Sequence, residues 1–298
     1  MVLKKTAIFA TGLIAGALII FAYLFKPYTA PAAIGSEVSD ADINTLISRL
    51  TLANYKGTIK GLTTFGDRRQ GTKRNEDAVG WIEAQLKSYG CSDVERLDFV
   101  NSDTAPQPKF PLSLEELNPS GGTATGGVIG RNGSGPGGAS QFGYSAPTDK
   151  EQDPMSQSNE ALRALNMEPS SFGARQEIYC TKIGTTHPDE MYIIGAHMDG
   201  IGWGEAVNDD ASGTALVMEL ARIFSAPDVQ TERSIRFILF NNEEAGLLGS
   251  IAYAKQRYLL QGKEEPAGSG KYPEPKWLGM IQHDMMLFDH GAPRADGT

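Results

Sequence analysis

Three stretches of this sequence decide the fold: Ile193-Ile194-Gly195-Ala196-His197-Met198-Asp199, then Asn208-Asp209-Asp210-Ala211-Ser212-Gly213, then Phe237-Ile238-Leu239-Phe240-Asn241-Asn242-Glu243-Glu244. The first and third are apolar runs too short for helices that end abruptly in imidazole or carboxylate, which reads as a buried strand running out into a loop. The second opens a helical pattern through Leu216, Leu220 and Ile223, with Asp210 or Ser212 available to cap it. Strand, helix and strand in alternation predict an α/β domain: a three-layer, mostly parallel mixed sheet with helices on both faces. In such a sheet the carboxyl ends of neighbouring strands face one crevice, so His197, Asp209, Glu243 and Glu244 are expected to converge.

Outward from this centre, Glu177 to Ile183 and Met191 to Ala196 read as strands, joined through His187-Pro188-Asp189 as a hairpin. Further upstream, Val94 to Val100 reads as a strand. A helix from about Asn75 to Tyr89 buries Ala78, Trp81, Ile82 and Leu86 and stops at Gly90. Ser39-Asp40 can cap a helix whose apolar face is Ile43, Leu46, Ile47 and Leu50. Downstream, Ile235 to Phe240, apolar except for Arg236, reads as a strand buried on both faces, followed by a helix from Leu247 to about Leu260. A polar turn from Gln261 to Pro275 then leads to a strand, Trp277 to Gln282, that delivers Asp284 at its end.

The 298 residues suit one large domain with accessory segments. A net charge of −9 argues against a nucleic-acid partner. Residues 1–33 read as a signal peptide or signal anchor: Lys4 and Lys5 precede an apolar run from Thr6 to Phe25, and Ala30-Pro31-Ala32-Ala33 follows. Export is implied either way, to the periplasm or the exterior, or with a membrane tether if the segment is not cleaved, and residues 34–298 form the domain that works outside the cytoplasm. Within it, 101–175 reads as a Gly/Pro-rich insertion or lid, because Ser120 to Gly138 buries too little apolar surface to offset the entropy of ordering it. Gly130-Arg131-Asn132-Gly133-Ser134-Gly135 is no phosphate loop, since no strand precedes it and no helix follows directly. Ser158 to Leu165 is expected to form a helix. Cys91 and Cys180 would be free to pair in an exported chain if their Cα separation fits a bridge.

Imidazole and carboxylate without thiolate are the ligand set of a hydrolytic zinc site. A lone His-x-Asp such as His197–Asp199 is usually structural. The consecutive acids of the second stretch exceed what a helix cap needs, leaving one carboxylate free to bridge two cations. Of Glu243 and Glu244, one can bind metal while its neighbour acts as general base; the competing reading is a pair that complements a helix dipole.

These motifs, with His283-Asp284-Met285 and upstream Phe65-Gly66-Asp67-Arg68-Arg69-Gln70-Gly71-Thr72, resemble the co-catalytic di-zinc exopeptidases, a family that includes bacterial leucyl aminopeptidase, glutamate carboxypeptidase II and the glutaminyl cyclases. The resemblance spans about Leu46 to Val100 and Gln176 to Met286, and implies a zinc-exopeptidase (phosphorylase/hydrolase-like) fold holding two Zn2+. It makes His197 and Asp284 ligands of one zinc, Asp209 the bridge, Glu244 a ligand of the second, Glu243 the general base and Asp199 the residue that orients the site. Peptide substrates cleaved at their amino-terminal bond are the first expectation. A carboxypeptidase or glutaminyl cyclase on the same fold is the alternative, and a non-catalytic, membrane-tethered interaction domain the second. The family's second histidine ligand has no counterpart here: His187, His283 and His290 read as ordinary histidines. The corresponding expectation is that the carboxy-terminal part of the fold is missing and that the zinc at Glu244 is held weakly.

Overall fold

The computed structural model describes residues 39–101, 158–167, 171, 173–200 and 204–287. The expected signal segment, most of the 101–175 insertion and His290 lie outside the described residues. Among the described residues no helix is long and apolar enough to cross a membrane. The chain divides into two compact units, Met1–Ile47 and Ser48–Thr298. The described end of the first is the start of helix α1 (Asp40–Ser48), where Ser39 Oγ accepts the Asp42 N–H as the sequence anticipates. Its apolar residues Ile43 and Ile47 are exposed.

The second unit is built on one five-stranded sheet. Its elements are α2 (Leu52–Thr63), α3 (Lys73–Ser88), β1 (Asp93–Asn101), α4 (Glu160–Met167), β2 (Gly173–Lys182), β3 (His187–His197), α5 (Gly213–Phe224), β4 (Arg233–Phe240), α6 (Leu248–Arg257) and β5 (Lys276–Gln282). The strand order is β1-β2-β4-β3-β5. β3 pairs parallel with both β4 and β5, while β2 pairs antiparallel with β4 and with β1, so β2 alone runs against the rest. The mixed, mostly parallel sheet is as expected.

The hairpin is a correction. β2 and β3 do not pair, because β4 lies between them, and His187-Pro188-Asp189 is not a turn but the start of β3, separated from the regular ladder by a register shift before Met191. β4 is apolar on both faces and fits only the sheet's interior, so it outcompetes the local pairing that sequence adjacency favours. The resulting β3-α5-β4 unit is a parallel crossover that places the ends of β3 and β4 side by side: His197 pairs with Phe240 across the ladder.

Helices α2, α3 and α5 cover one face. Ile59, Leu62, Ala78, Ile82, Leu86, Val217, Met218 and Ala221 pack there on Ile178, Cys180, Phe237 and Leu239. α6 covers the other face, where Tyr253 packs with Tyr179, Met191, Ile193, Ile238 and Phe240. Cys91 and Cys180 form a disulfide with a Cα separation of 6.1 Å, joining the segment after α3 to the carboxyl-terminal part of β2. α2 has no clear signature in the sequence. Thr51 caps it by accepting the Asn54 N–H, and Gly61 gives it close approach to α3, since a Cβ there would lie 2.5 Å from the Trp81 ring.

Candidate metal centre

β3 ends at His197, whose ring is 1% exposed. Thr214 in the first turn of α5 donates its hydroxyl to the His197 carbonyl at 2.7 Å, which fixes the strand end against the helix that follows the second motif. Around the ring, Nε2 lies 3.1 Å from Asp209 Oδ1, 3.8 Å from Asp284 Oδ1 and 3.9 Å from Glu243 Oε2. One ligand atom each from His197, Asp209 and Glu244 fall within 4.8 Å of one another, and the same holds for His197, Asp210 and Asp284. The structure thus brings together every residue that the sequence singles out. Neither His187 nor His283 joins these groups among the described residues.

Asp199, which the resemblance makes the orienting residue, meets the site in two ways. Its backbone carbonyl, not its carboxylate, meets His197 Nδ1 at 3.0 Å, while the nearer carboxylate oxygen stands 3.7 Å away. The buried carboxylate instead accepts the backbone N–H groups of Glu243 at 3.1 Å and Glu244 at 3.4 Å. One residue therefore holds the imidazole with its main chain and the Glu243–Glu244 loop with its side chain.

Burial pushes the Glu243 carboxyl up to about 7 and that of Glu244 up to about 9, with the surrounding carboxylates adding to the shift. Burial alone would lower the His197 ring, but Asp199, Asp209 and Asp284 carry it well above its usual value. So many acids beside one imidazole ask for a cation. Glu244 Oε2 is buried and has no hydrogen-bond partner among the described residues, an acceptor that a metal ion would satisfy. The donor set, imidazole and carboxylates only, fits zinc.

Beneath the site lies a buried polar lattice that the sequence reading did not resolve. Arg68 is fully buried and spends its guanidinium on four carbonyls, those of Met198, Gly66, Glu205 and Ala206, at 2.7 to 3.1 Å. Burial lowers it to about 10. Asn75 of α3 and Asn241 at the end of β4 exchange reciprocal amide bonds of 3.1 and 2.8 Å, and Asn241 Oδ1 also accepts the Asn242 N–H at 3.0 Å. Phe65 to Thr72 was recognisable as a motif, but nothing in its residue types says that Arg68 faces backbone oxygens.

The sequence of this region is similar to that of known peptidases. Residues 178–290 match the model of peptidase family M28. The aminopeptidase YwaD of Bacillus subtilis is 43% identical over 67 residues, which are 22% of this chain and 14% of that protein. The probable lipoprotein aminopeptidase LpqL of Mycobacterium tuberculosis is 35% identical over 100 residues, 33% of this chain and 19% of that protein. The chain thus spans less than a fifth of the length of these two relatives. Among solved structures, LapB from Legionella pneumophila aligns over 90% of this chain and 52% of its own, with a TM-score of 0.48 and 18% identity. The stretch that carries His197, Asp209, Glu243, Glu244 and Asp284 is the stretch that matches family M28, and the chain resembles the co-catalytic zinc exopeptidases to which its motifs point.

Proposed function

We propose that this chain carries the metal-binding site of a zinc-dependent aminopeptidase that hydrolyses the amino-terminal bond of peptides. The observation that carries the reading is the gathering of Asp209, Glu243 and Asp284 within 3.9 Å of His197 Nε2, with Glu244 in the same cluster. His197, Asp209 and Asp284 would hold one zinc ion, with Asp209 shared and Glu244 serving a second. Bound zinc supplies a counter-charge for these acids and Lewis-acid polarisation of the scissile carbonyl. Glu243 stands beside this cluster, its backbone fixed by Asp199, in position to take the proton of the attacking water and return it to the departing amine. Asp199 and the Asn75–Asn241 clasp keep the Glu243–Glu244 loop from drifting, which general-base catalysis needs because proton transfer depends on near-contact geometry.

The test is elemental analysis for zinc together with hydrolysis of aminoacyl anilides. Glu243→Gln should keep the metal content and lower kcat by about 10²- to 10⁴-fold. Metal-free protein after equilibration with zinc at neutral pH would overturn the reading. Ammonia release from amino-terminal glutamine without anilide hydrolysis would reassign the site to cyclisation. We further propose that the domain acts outside the cytoplasm, supported by the Cys91–Cys180 disulfide and the apolar amino-terminal run. Labelling of the domain by a membrane-impermeant reagent in intact cells tests this, and protection from it would contradict export.

A further inference from the structure

We propose that Asn208, Asp210 and Ser212 form a side-chain clasp that grips three consecutive backbone N–H groups, those of Met285, Met286 and Leu287, and thereby sets Asp284 beside His197. The Met285 N–H donates to Asp210 Oδ1 at 3.3 Å, the Met286 N–H to Ser212 Oγ at 2.8 Å and the Leu287 N–H to Asn208 Oδ1 at 2.8 Å. The three gripping residues alternate along Asn208-Asp209-Asp210-Ala211-Ser212, and the residue between the first two, Asp209, is the one whose carboxylate reaches the imidazole. One short loop thus does two things: it offers Asp209 to the metal and holds the segment that offers Asp284.

Asp210 is the central member. It is 0% exposed, and besides Met285 its oxygens accept the His197 N–H at 3.4 Å and the Gly213 N–H at 2.6 Å. A single carboxylate therefore ties the end of β3, the start of α5 and the chain after β5. Two of those segments carry a residue assigned to metal, and Asp210 itself follows a third. All three backbone partners are donors, so only an acceptor fits between them. Ser212 completes the arrangement by donating to the Asn208 carbonyl at 2.7 Å while accepting from Met286. Gly213 makes room for it, since a Cβ there would lie 2.5 Å from Asp210 Oδ2 and 2.6 Å from the His283 carbonyl. Among the described residues β5 lies at the edge of the sheet with mostly exposed side chains, and Asp284 beyond it is 47% exposed, so packing by these residues does little to hold this ligand in place. Met285, at a φ of 52°, takes a left-handed turn that a non-glycine residue keeps only where its surroundings hold it.

The inference rests on the zinc-site reading for Asp284 as a ligand, and two readouts on the full chain separate the two. The first is amide hydrogen exchange at Met285 to Leu287 without metal. The second is titration with Co2+ followed by its d–d absorption. Asp210→Asn, Ser212→Ala and Asn208→Ala should each speed exchange at 285–287 and weaken Co2+ binding about tenfold or more, the usual effect of losing a group that positions a ligand. The absorption spectrum at saturating Co2+ should match wild type, because no ligand has been removed, whereas Asp284→Ala should change it. Asn208→Asp, which keeps the acceptor, should restore both exchange and affinity. Wild-type exchange and affinity in Ser212→Ala and Asn208→Ala would overturn the clasp, whether or not Asp210→Asn folds. An altered saturated spectrum in Asp210→Asn would make Asp210 a ligand and overturn its positioning role. If the wild-type chain binds no Co2+ and no zinc, the zinc-site reading falls and with it the positioning of a ligand, while the exchange arm still decides whether the clasp itself exists.

Discussion

Cutting the Cys91–Cys180 bridge should cost this domain a large share of its stability. The bridge spans 89 residues of sequence, and closing a loop of that length in the unfolded chain removes conformational entropy worth about 4 to 5 kcal/mol on the chain-entropy account. Domains of this kind have only about 5 to 15 kcal/mol in total. The native contacts around the bridge barely depend on it, since both sulfurs sit within the packed face formed by α3, β2 and α5. The cross-link acts chiefly on the unfolded state. The measurement is equilibrium urea unfolding in metal-free buffer, so that ion binding does not add to the native state. Oxidised protein is compared with protein reduced while unfolded and refolded under reductant. Reduced protein is preferable to a Cys→Ala pair, because alanines would add cavity terms at two buried positions. The reduced form should unfold at a much lower midpoint and with a larger m-value, as its unfolded chain is more expanded. A stability loss below about 1 kcal/mol with an unchanged m-value would refute the loop-entropy argument.

Glu177 of β2 is 0% exposed, and burial pushes its carboxyl up to about 8 against the lowering effect of the Asn241 backbone N–H. Its raised value means that wild type loses stability as the pH climbs from the ordinary carboxylate range towards 8, so the advantage of Glu177→Gln should widen by roughly 3 kcal/mol between pH 4.5 and 7; urea midpoints at several pH values check this, and a constant gap would contradict it. Buried Arg236 pairs with buried Glu274, which also accepts the Tyr253 hydroxyl at 2.7 Å, and this pair fastens the segment before β5 to the sheet. Glu274→Gln leaves an uncompensated guanidinium and should destabilise by about 3 to 5 kcal/mol; a thermal scan unchanged within a degree would argue against it. Gly213→Ala forces a methyl against Asp210 and the His283 carbonyl, so a loss of about 1 to 3 kcal/mol is expected together with weaker metal binding. Unfolding and metal titration on the same sample test that coupling, and weakened stability with intact affinity would break it.

What could be read from the sequence, and what could not, divides along a physical line. Few side chain types suit zinc, so His197, Asp209, Glu244 and Asp284 stand out as candidates by type, and their place near strand ends follows from apolar runs of the right length. Pairing is another matter: the run that becomes β4 shows its burial on both faces but not that it separates β2 from β3. Arg236 looked anomalous in that run because its partner, Glu274, lies 38 residues away in a turn with no periodic pattern. The residues that hold the site were hidden for a deeper reason. Arg68 faces carbonyl oxygens, the Asp199 carboxylate faces the N–H groups of Glu243 and Glu244, and Asn208, Asp210 and Ser212 face those of Met285 to Leu287. Every non-proline residue carries an N–H and a carbonyl, so such partners leave no trace in residue type. Of the acids in Asn208-Asp209-Asp210, Asp210 takes the helix-capping role that the sequence allowed it, accepting the Gly213 N–H, whereas its bond to the Met285 N–H had no signal in the sequence. Ligands are chosen by the chemistry of the ion, whereas the groups that aim them are chosen by where the main chain passes, and only the folded path reveals that.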